Sequence, residues 1–377
     1  MNALFFTYNL DNTQINRKEK KLQINNGRPN SPSRRDGRKA TLWLEIPASN
    51  KDLDQITQTM LLLEHINLNV DNGDLALRFF LALGAVQNSK SSNFRQVHVN
   101  IGLSQFHLPF HVSVANPSPV SKGDAQFWRG YVELVTTEPL DAITKRLLMD
   151  SDLAECQVEG MNNESLLVQS PWGCDSKSTF KIIQNKAVAD AASAALHAVK
   201  GHHGGFGRLI AMTRCVHTCK VGTARLIANF YLHVLDLNPK KVRLFAKDTK
   251  VLIQFDITPQ TLEFHETERA RSDEYNDTEN SKYHIAVYLR SEESFRTAFH
   301  NVCRANALFV NKKFEGGPIE FASSKTLYEA ILTGQFRVKN MFDPDTGIVG
   351  HVMEHEIRMM SHVACPLRPR EQDQSCL

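Results

Sequence analysis

The same order of elements recurs along this chain: a strand carrying a polar residue, a compact helix, then strands ending in another residue able to ligate or titrate. Repetition of this kind constrains the fold more tightly than composition does. One copy runs through residues 61–70 (LLLEHINLNV), the helical pattern of 74–84, and the strands of 97–110. A second begins at 215–221 (CVHTCKV), continues through a helix at 222–234, and reaches the strand 261–265 (TLEFH). Between and after these lie two further strand–helix–strand stretches, so each half of the chain holds two units. Short helices alternating with several strands, not with single ones, specify an α+β fold with mixed or antiparallel sheets.

Composition limits the classes that remain. With 377 residues, 42% of them hydrophobic and 23% charged, the chain is long enough to bury a large core. The net charge of +3 supplies no electrostatic case for nucleic acid. No apolar run approaches the roughly 18 residues that span a bilayer, so no membrane partner is expected. Seven cysteines, odd in number and without a CxxC pair, argue against a secreted disulfide framework or a zinc ribbon and favour a reducing compartment, with the cytoplasm as the expected location. The Arg- and Asn-rich start leaves organellar targeting open. No glycine-rich phosphate loop follows a strand, and no cysteine has the neighbours of a nucleophile.

The spacing of polar and apolar residues predicts five segments. Residues 1–55 form a mostly disordered basic arm, because 12–40 is polar, basic and interrupted by Gly27, Pro29, Pro32 and Gly37. A first domain covers 56–186, a linker 187–208, a second domain 209–363 and a tail 364–377. The linker combines an alanine-rich helix with a flexible joint, Gly201-His202-His203-Gly204-Gly205-Phe206-Gly207, whose histidines are read as solvent-exposed. Helices are expected at 74–83, 140–149, 222–234, 291–306 and 326–332. Asp343-Pro344-Asp345-Thr346-Gly347 marks a turn between the last two strands.

These residues resemble the vicinal oxygen chelate superfamily, which includes glyoxalase I, bleomycin resistance proteins and extradiol dioxygenases. The likeness rests on His65 with the 74–84 helix, the run 98–109 (HVNIGLSQFHLP), Pro171-Trp172-Gly173, Asn229-Phe230-Tyr231, Leu262-Glu263-Phe264, Tyr283-His284-Ile285-Ala286, and the turn 343–347 leading into Met353-Glu354-His355-Glu356-Ile357-Arg358. It implies four βαβββ modules forming two tandem glyoxalase-like domains with U-shaped sheets. It also implies a divalent metal held by side chains from the first and last strands of each module, where two neighbouring oxygens of a small-molecule substrate coordinate one ion.

Carried onto this sequence, the resemblance assigns the metal to the second domain. Glu263 matches one closing position, His284 an opening one, and Glu354 or Glu356 the other closing one. The remaining opening position falls on Val216, with His217 turned inward if a bulge intervenes. Carboxylates with imidazoles suit Fe, Mn, Ni, Co or Zn. In the first domain His65 and His107 occupy the matching positions, but Tyr131 and Lys181 stand where ligands would be, which implies a metal-free ligand pocket. Cys215, His217 and Cys219 alternate on one strand, and a buried strand is the simpler reading of them. The expected functions are lyase, isomerase or dioxygenase chemistry by a monomer or homodimer, with a non-catalytic small-molecule-binding protein as the alternative. A surface position is the simpler reading of Arg358.

Overall fold

The alternation of apolar and polar residues in each strand gives every sheet one face for a core and one for a cup. The computed structural model describes residues 60–111, 118–153, 156–162, 164–173, 177–245, 247, 249–257, 259–268, 283–311 and 323–368. The expected basic arm and residues 369–377 of the tail lie outside them. The described residues all fall in one compact unit, Leu42–Leu377.

Four modules follow one another. The first comprises β1 (Met60–Asn67), α1 (Gly73–Leu83), β2 (Val86–Gln87), β3 (Gln96–Ile101) and β4 (Ser104–Pro109). The second has β5 (Gly130–Thr136), α2 (Leu140–Met149), β6 (Val158–Asn162), β7 (Ser165–Gln169) and β8 (Thr179–Gln184). After α3 (Lys186–Ala198), the third holds β9 (Leu209–Lys220), α4 (Ala224–Asn229), β10 (Val242–Phe245), β11 (Lys250–Gln254) and β12 (Thr261–Thr267). The fourth has β13 (His284–Leu289), α5 (Glu292–Arg304), α6 (Leu327–Thr333), β14 (Gln335–Phe342) and β15 (Val349–Met359). Its third outer strand is reduced to one bridge, Leu308 to Val338.

In each module the last strand returns parallel to the first, as β4 does to β1 and β15 to β13. The modules do not pair in sequence order. β1 lies antiparallel to β13, giving a seven-stranded sheet of order β14-β15-β13-β1-β4-β3-β2. β5 lies antiparallel to β9, giving an eight-stranded sheet of order β10-β11-β12-β9-β5-β8-β7-β6. Module one therefore shares a sheet with module four, and module two with module three. Among the described residues neither sheet closes on itself.

One core cluster joins both sheets to the helices. α1 buries Phe79 and Phe80, which pack on Phe106 of β4, Trp172 and Phe180 of β8. Each such aromatic contributes on the order of 2–3 kcal/mol by burial. α1 begins with an Asn72 side-chain cap and ends at Gly84 with φ 98°, a left-handed position that favours glycine. The expected 222–234 helix is divided: α4 stops at Asn229, and a wide turn follows in which the Leu235 amide bonds to the Phe230 carbonyl. In the β3–β4 hairpin Gly102 has φ +59°, and a Cβ there would stand 2.0 Å from the Ile210 carbonyl oxygen of β9. That close approach admits no side chain.

Candidate metal centre

Period-2 alternation sends Val97, Val99, Phe106, Leu108, Ile285, Val287, Met353 and Ile357 to the core, and their neighbours to the other face of the seven-stranded sheet. Strand register then aligns two rows across that face. One reads Gln105, His65, Ala286, Glu356, Arg337. The other reads His107, Asn67, His284, Glu354. Almost every one of these side chains is buried.

β1 departs from period 2 at one place. Leu63 pairs with Val287 and His65 with Ala286, so Glu64 is an extra residue against β13. Such a bulge lets adjacent residues approach the same side. Here the Glu64 carboxylate lies 2.7 Å from His65 Nδ1 and 2.7 Å from an Arg358 Nη. An imidazole that donates Nδ1–H to a carboxylate presents a bare Nε2 lone pair, the tautomer needed of a metal ligand. His65 Nε2 lies 3.1 Å from His284 Nε2, and His284 Nε2 lies 3.6 Å from a Glu356 oxygen. Two nitrogens bound to one ion at about 2.1 Å each stand roughly 3.0–3.4 Å apart. His65, His284 and Glu356 are thus a candidate cation site whose ligand atoms lie within 4.8 Å of one another.

His107 is also close, but its ring is stacked on His65 with centroids 3.8 Å apart and planes 23° apart. The lone pairs of stacked rings lie in separate, near-parallel planes and are poorly aimed at one ion, although Glu64, His65 and His107 also bring their ligand atoms within 4.8 Å of one another. Its Nε2 is 2.9 Å from Gln105 Oε1. His98 stacks on the far side of His107, again at 3.8 Å. Burial first, and the neighbouring imidazoles second, push His98 down to about 3 and His107 well below its ordinary range, so both are neutral near pH 7.

Charge within this cup is nearly balanced. Arg337 spans Glu354 and Glu356, while Arg358 spans Glu356 and Glu64. Three carboxylates face two guanidinium groups, an excess of one negative charge. Burial pushes Glu64 upward, but the His65 imidazole and the Arg358 guanidinium overcome it and hold the carboxyl at about 2. Arg337 and Arg358, 2% and 4% exposed, are interior residues. The expected surface position of Arg358 is corrected accordingly.

The glycine joint is likewise not a free linker. His202 Nε2 lies 2.9 Å from the Leu103 carbonyl oxygen and 3.7 Å from Glu64, with its side chain 6% exposed. The Asn100 amide donates to the His203 and Gly205 carbonyls, at 3.0 Å each, so the joint rests against the cup's β3 side.

The other sequence-predicted residues lie in the eight-stranded sheet. Glu263 on β12 accepts from Arg214 at 2.9 and 3.0 Å, and also contacts Lys250 at 2.7 Å and His265 at 2.9 Å. Burial raises its pKa, but those three partners hold it far below the ordinary range. Among the described residues Glu263 joins no group of histidines and carboxylates whose ligand atoms converge closely enough to hold an ion. Tyr131 lies under the Arg214 guanidinium, 5.6 Å from ring centroid to Cζ, and Lys181 pairs with Glu133 at 2.9 Å. His217 does not turn inward. It faces the core with Cys215 and Cys219, its Nε2 2.7 Å from the Tyr283 hydroxyl and its Nδ1 2.8 Å from the Thr218 carbonyl. The structure therefore separates Glu263 and His217 from His284, Glu354 and Glu356, and brings the latter three to His65 and His107. Glu64 and Arg337 are absent from the sequence-derived set. A bulge hides the first from period-2 reading, and only the strand pairing reveals the second.

Depressed imidazole pKa values make the fold acid-labile, and the sign is fixed. Burial lowers His98 and His217 to about 3 and His355 to about 4, and lowers His107, His202 and His351 as well. Below about pH 6.5 the unfolded chain takes up protons that the folded chain refuses, so stability is complete above that pH and falls as pH drops toward 3. Glu64 adds a second loss, from about 4.5 down to about 2. Denaturant midpoints measured from pH 8 to pH 4 should decline beginning near pH 6.5. A flat profile down to pH 5 would contradict burial of these rings.

No family model matches the chain, and no curated protein matches it. Among solved structures, glyoxalase I from Zea mays is similar, at 9% identity and TM-score 0.42 over 80% of this chain and 92% of that one. A putative dioxygenase from Bacillus subtilis is similar at 9% identity and TM-score 0.40, over 80% and 86%. A catechol 2,3-dioxygenase is similar at 13% identity and TM-score 0.25, over 83% and 91%. In this chain each module's last strand runs parallel to its first, and the modules pair through antiparallel opening strands, β1 with β13 and β5 with β9.

Proposed function

We propose that the chain is a metal-dependent enzyme of the vicinal oxygen chelate type, acting on a small oxygen-bearing molecule in the cup of the seven-stranded sheet. His65, His284 and Glu356 would hold the ion. The observation that supports this best is the facing pair of imidazole nitrogens, 3.1 Å apart, with the His65 tautomer set by Glu64. Nitrogen and carboxylate donors suit Fe(II), Mn(II), Ni(II), Co(II) or Zn(II). When bound, such an ion acts as a Lewis acid toward substrate oxygens. Glu354, beside His284 in register, is paired with Arg337 and accepts from Asn311 at 3.0 and 3.2 Å, and its remaining lone pairs are the ones that would take a proton from substrate. Lyase, isomerase and dioxygenase chemistry all accommodate these roles.

A second reading has its own support. Arg337 and Arg358 already neutralise most of the carboxylate charge, as in a metal-free cup that binds an organic ligand. Equilibrium dialysis distinguishes the two. The chelated protein should take up about one divalent ion per chain, tightly and more weakly below pH 6, where imidazoles compete for protons. Failure to retain Mn(II), Co(II), Ni(II) or Zn(II) at neutral pH would favour the metal-free reading.

A further inference from the structure

Asn67 sits two residues beyond His65 on β1, and therefore on the same face. Its register partners are His107 on β4 and His284 on β13, so it stands at the centre of the cup between two imidazoles. The residue is 5% exposed, yet its Nδ2 is buried without a hydrogen-bond partner among the described residues. A buried amide that donates to nothing costs stability and persists in a fold when something else completes it. An NH2 group donates only, so what completes it is an acceptor, an oxygen or a ring nitrogen, and not a cation. His98, stacked on His107 and 8% exposed, likewise has a buried Nε2 with no partner among the described residues. Two unsatisfied polar atoms thus face the same cup as the candidate cation site.

Building on the proposed metal centre, we infer that Asn67 Nδ2 is the binding donor for a carbonyl, hydroxyl or carboxylate oxygen of the ligand that occupies the cup. It fixes the ligand's orientation beside His284. A purely structural Asn67 would lower the thermal midpoint when replaced, whereas exchanging an amide whose buried NH2 has no partner among the described residues for an apolar side chain of the same size costs little.

The test uses the full chain loaded with Co(II), and acetohydroxamate, a bidentate oxygen ligand, as the probe. Wild type and Asn67→Leu are compared by visible absorption on titration with probe, after Co(II) affinity and thermal midpoint have been measured for each. The expected result is unchanged Co(II) affinity, a midpoint equal to or above wild type, and probe binding roughly tenfold weaker in Asn67→Leu. Equal probe affinity in the two proteins would overturn the role of Asn67 and leave the metal centre standing. Co(II) binding without any probe binding to wild type would also overturn it. Failure of wild type to bind Co(II) would be the failure of the metal centre itself, and this inference would fall with it.

Discussion

Replacing Arg337 by methionine is expected to destabilise the metal-free protein by about 3–5 kcal/mol, because it leaves buried Glu354 without its guanidinium partner and buried Glu356 with Arg358 alone. The same substitution should make stability respond more strongly to divalent ions. An ion beside Glu356 supplies the positive charge that Arg337 no longer does, and binding to the folded state alone stabilises it by about 2.7 kcal/mol at a hundredfold excess over Kd. Denaturant melts of Arg337→Met with and without Mn(II) or Zn(II), against wild type, read both effects. A loss under 1 kcal/mol would mean that the ion pairs are not buried as described. A full loss that metal does not relieve would place the cation elsewhere.

Glu64→Gln should act on a different property. It keeps the size and a hydrogen-bond acceptor but removes the charge that faces His65 and Arg358. Metal affinity should fall about 10–100-fold, the usual consequence of losing a carboxylate that orients a ligating imidazole. Stability should fall as well, by about 3 kcal/mol, because Arg358 keeps only Glu356 as a charged partner. Competition with a chromophoric chelator measures the affinity. Wild-type affinity in Glu64→Gln would show that His65 is oriented by packing alone.

Much of the architecture was legible because period and punctuation agree. Helix 140–149 matches α2 residue for residue, 74–83 differs from α1 by one residue, and the turn at 343–347 is closed by Asp343 accepting from the Thr346 amide at 2.9 Å. What could not be read was which module shares a sheet with which. Each strand offers one apolar face and two edges, and nothing local distinguishes β13 from β5 as the neighbour of β1. That choice decides the site. Pairing in sequence order puts Glu263 with His284, whereas the observed pairing puts His65 with His284 and gives Glu263 to Arg214 and Lys250. The polar cup was legible as residue types and illegible as neighbours. Arg337 and Arg358 look like surface arginines in a strand pattern, since period 2 cannot tell a solvated face from a second buried one. His202 was misread for a related reason: glycine-rich composition signals a bend but says nothing of what the bend rests on.

The central claim is that the cation site joins modules one and four across β1 and β13. Its most direct measurement is Co(II) binding, followed by visible absorption, in His65→Ala, His284→Ala and Glu263→Ala prepared side by side. Loss of the bound-cobalt spectrum in the two histidine variants, with Glu263→Ala retaining it, is the expected pattern. Retention in His65→Ala together with loss in Glu263→Ala would contradict the claim and return the site to the eight-stranded sheet.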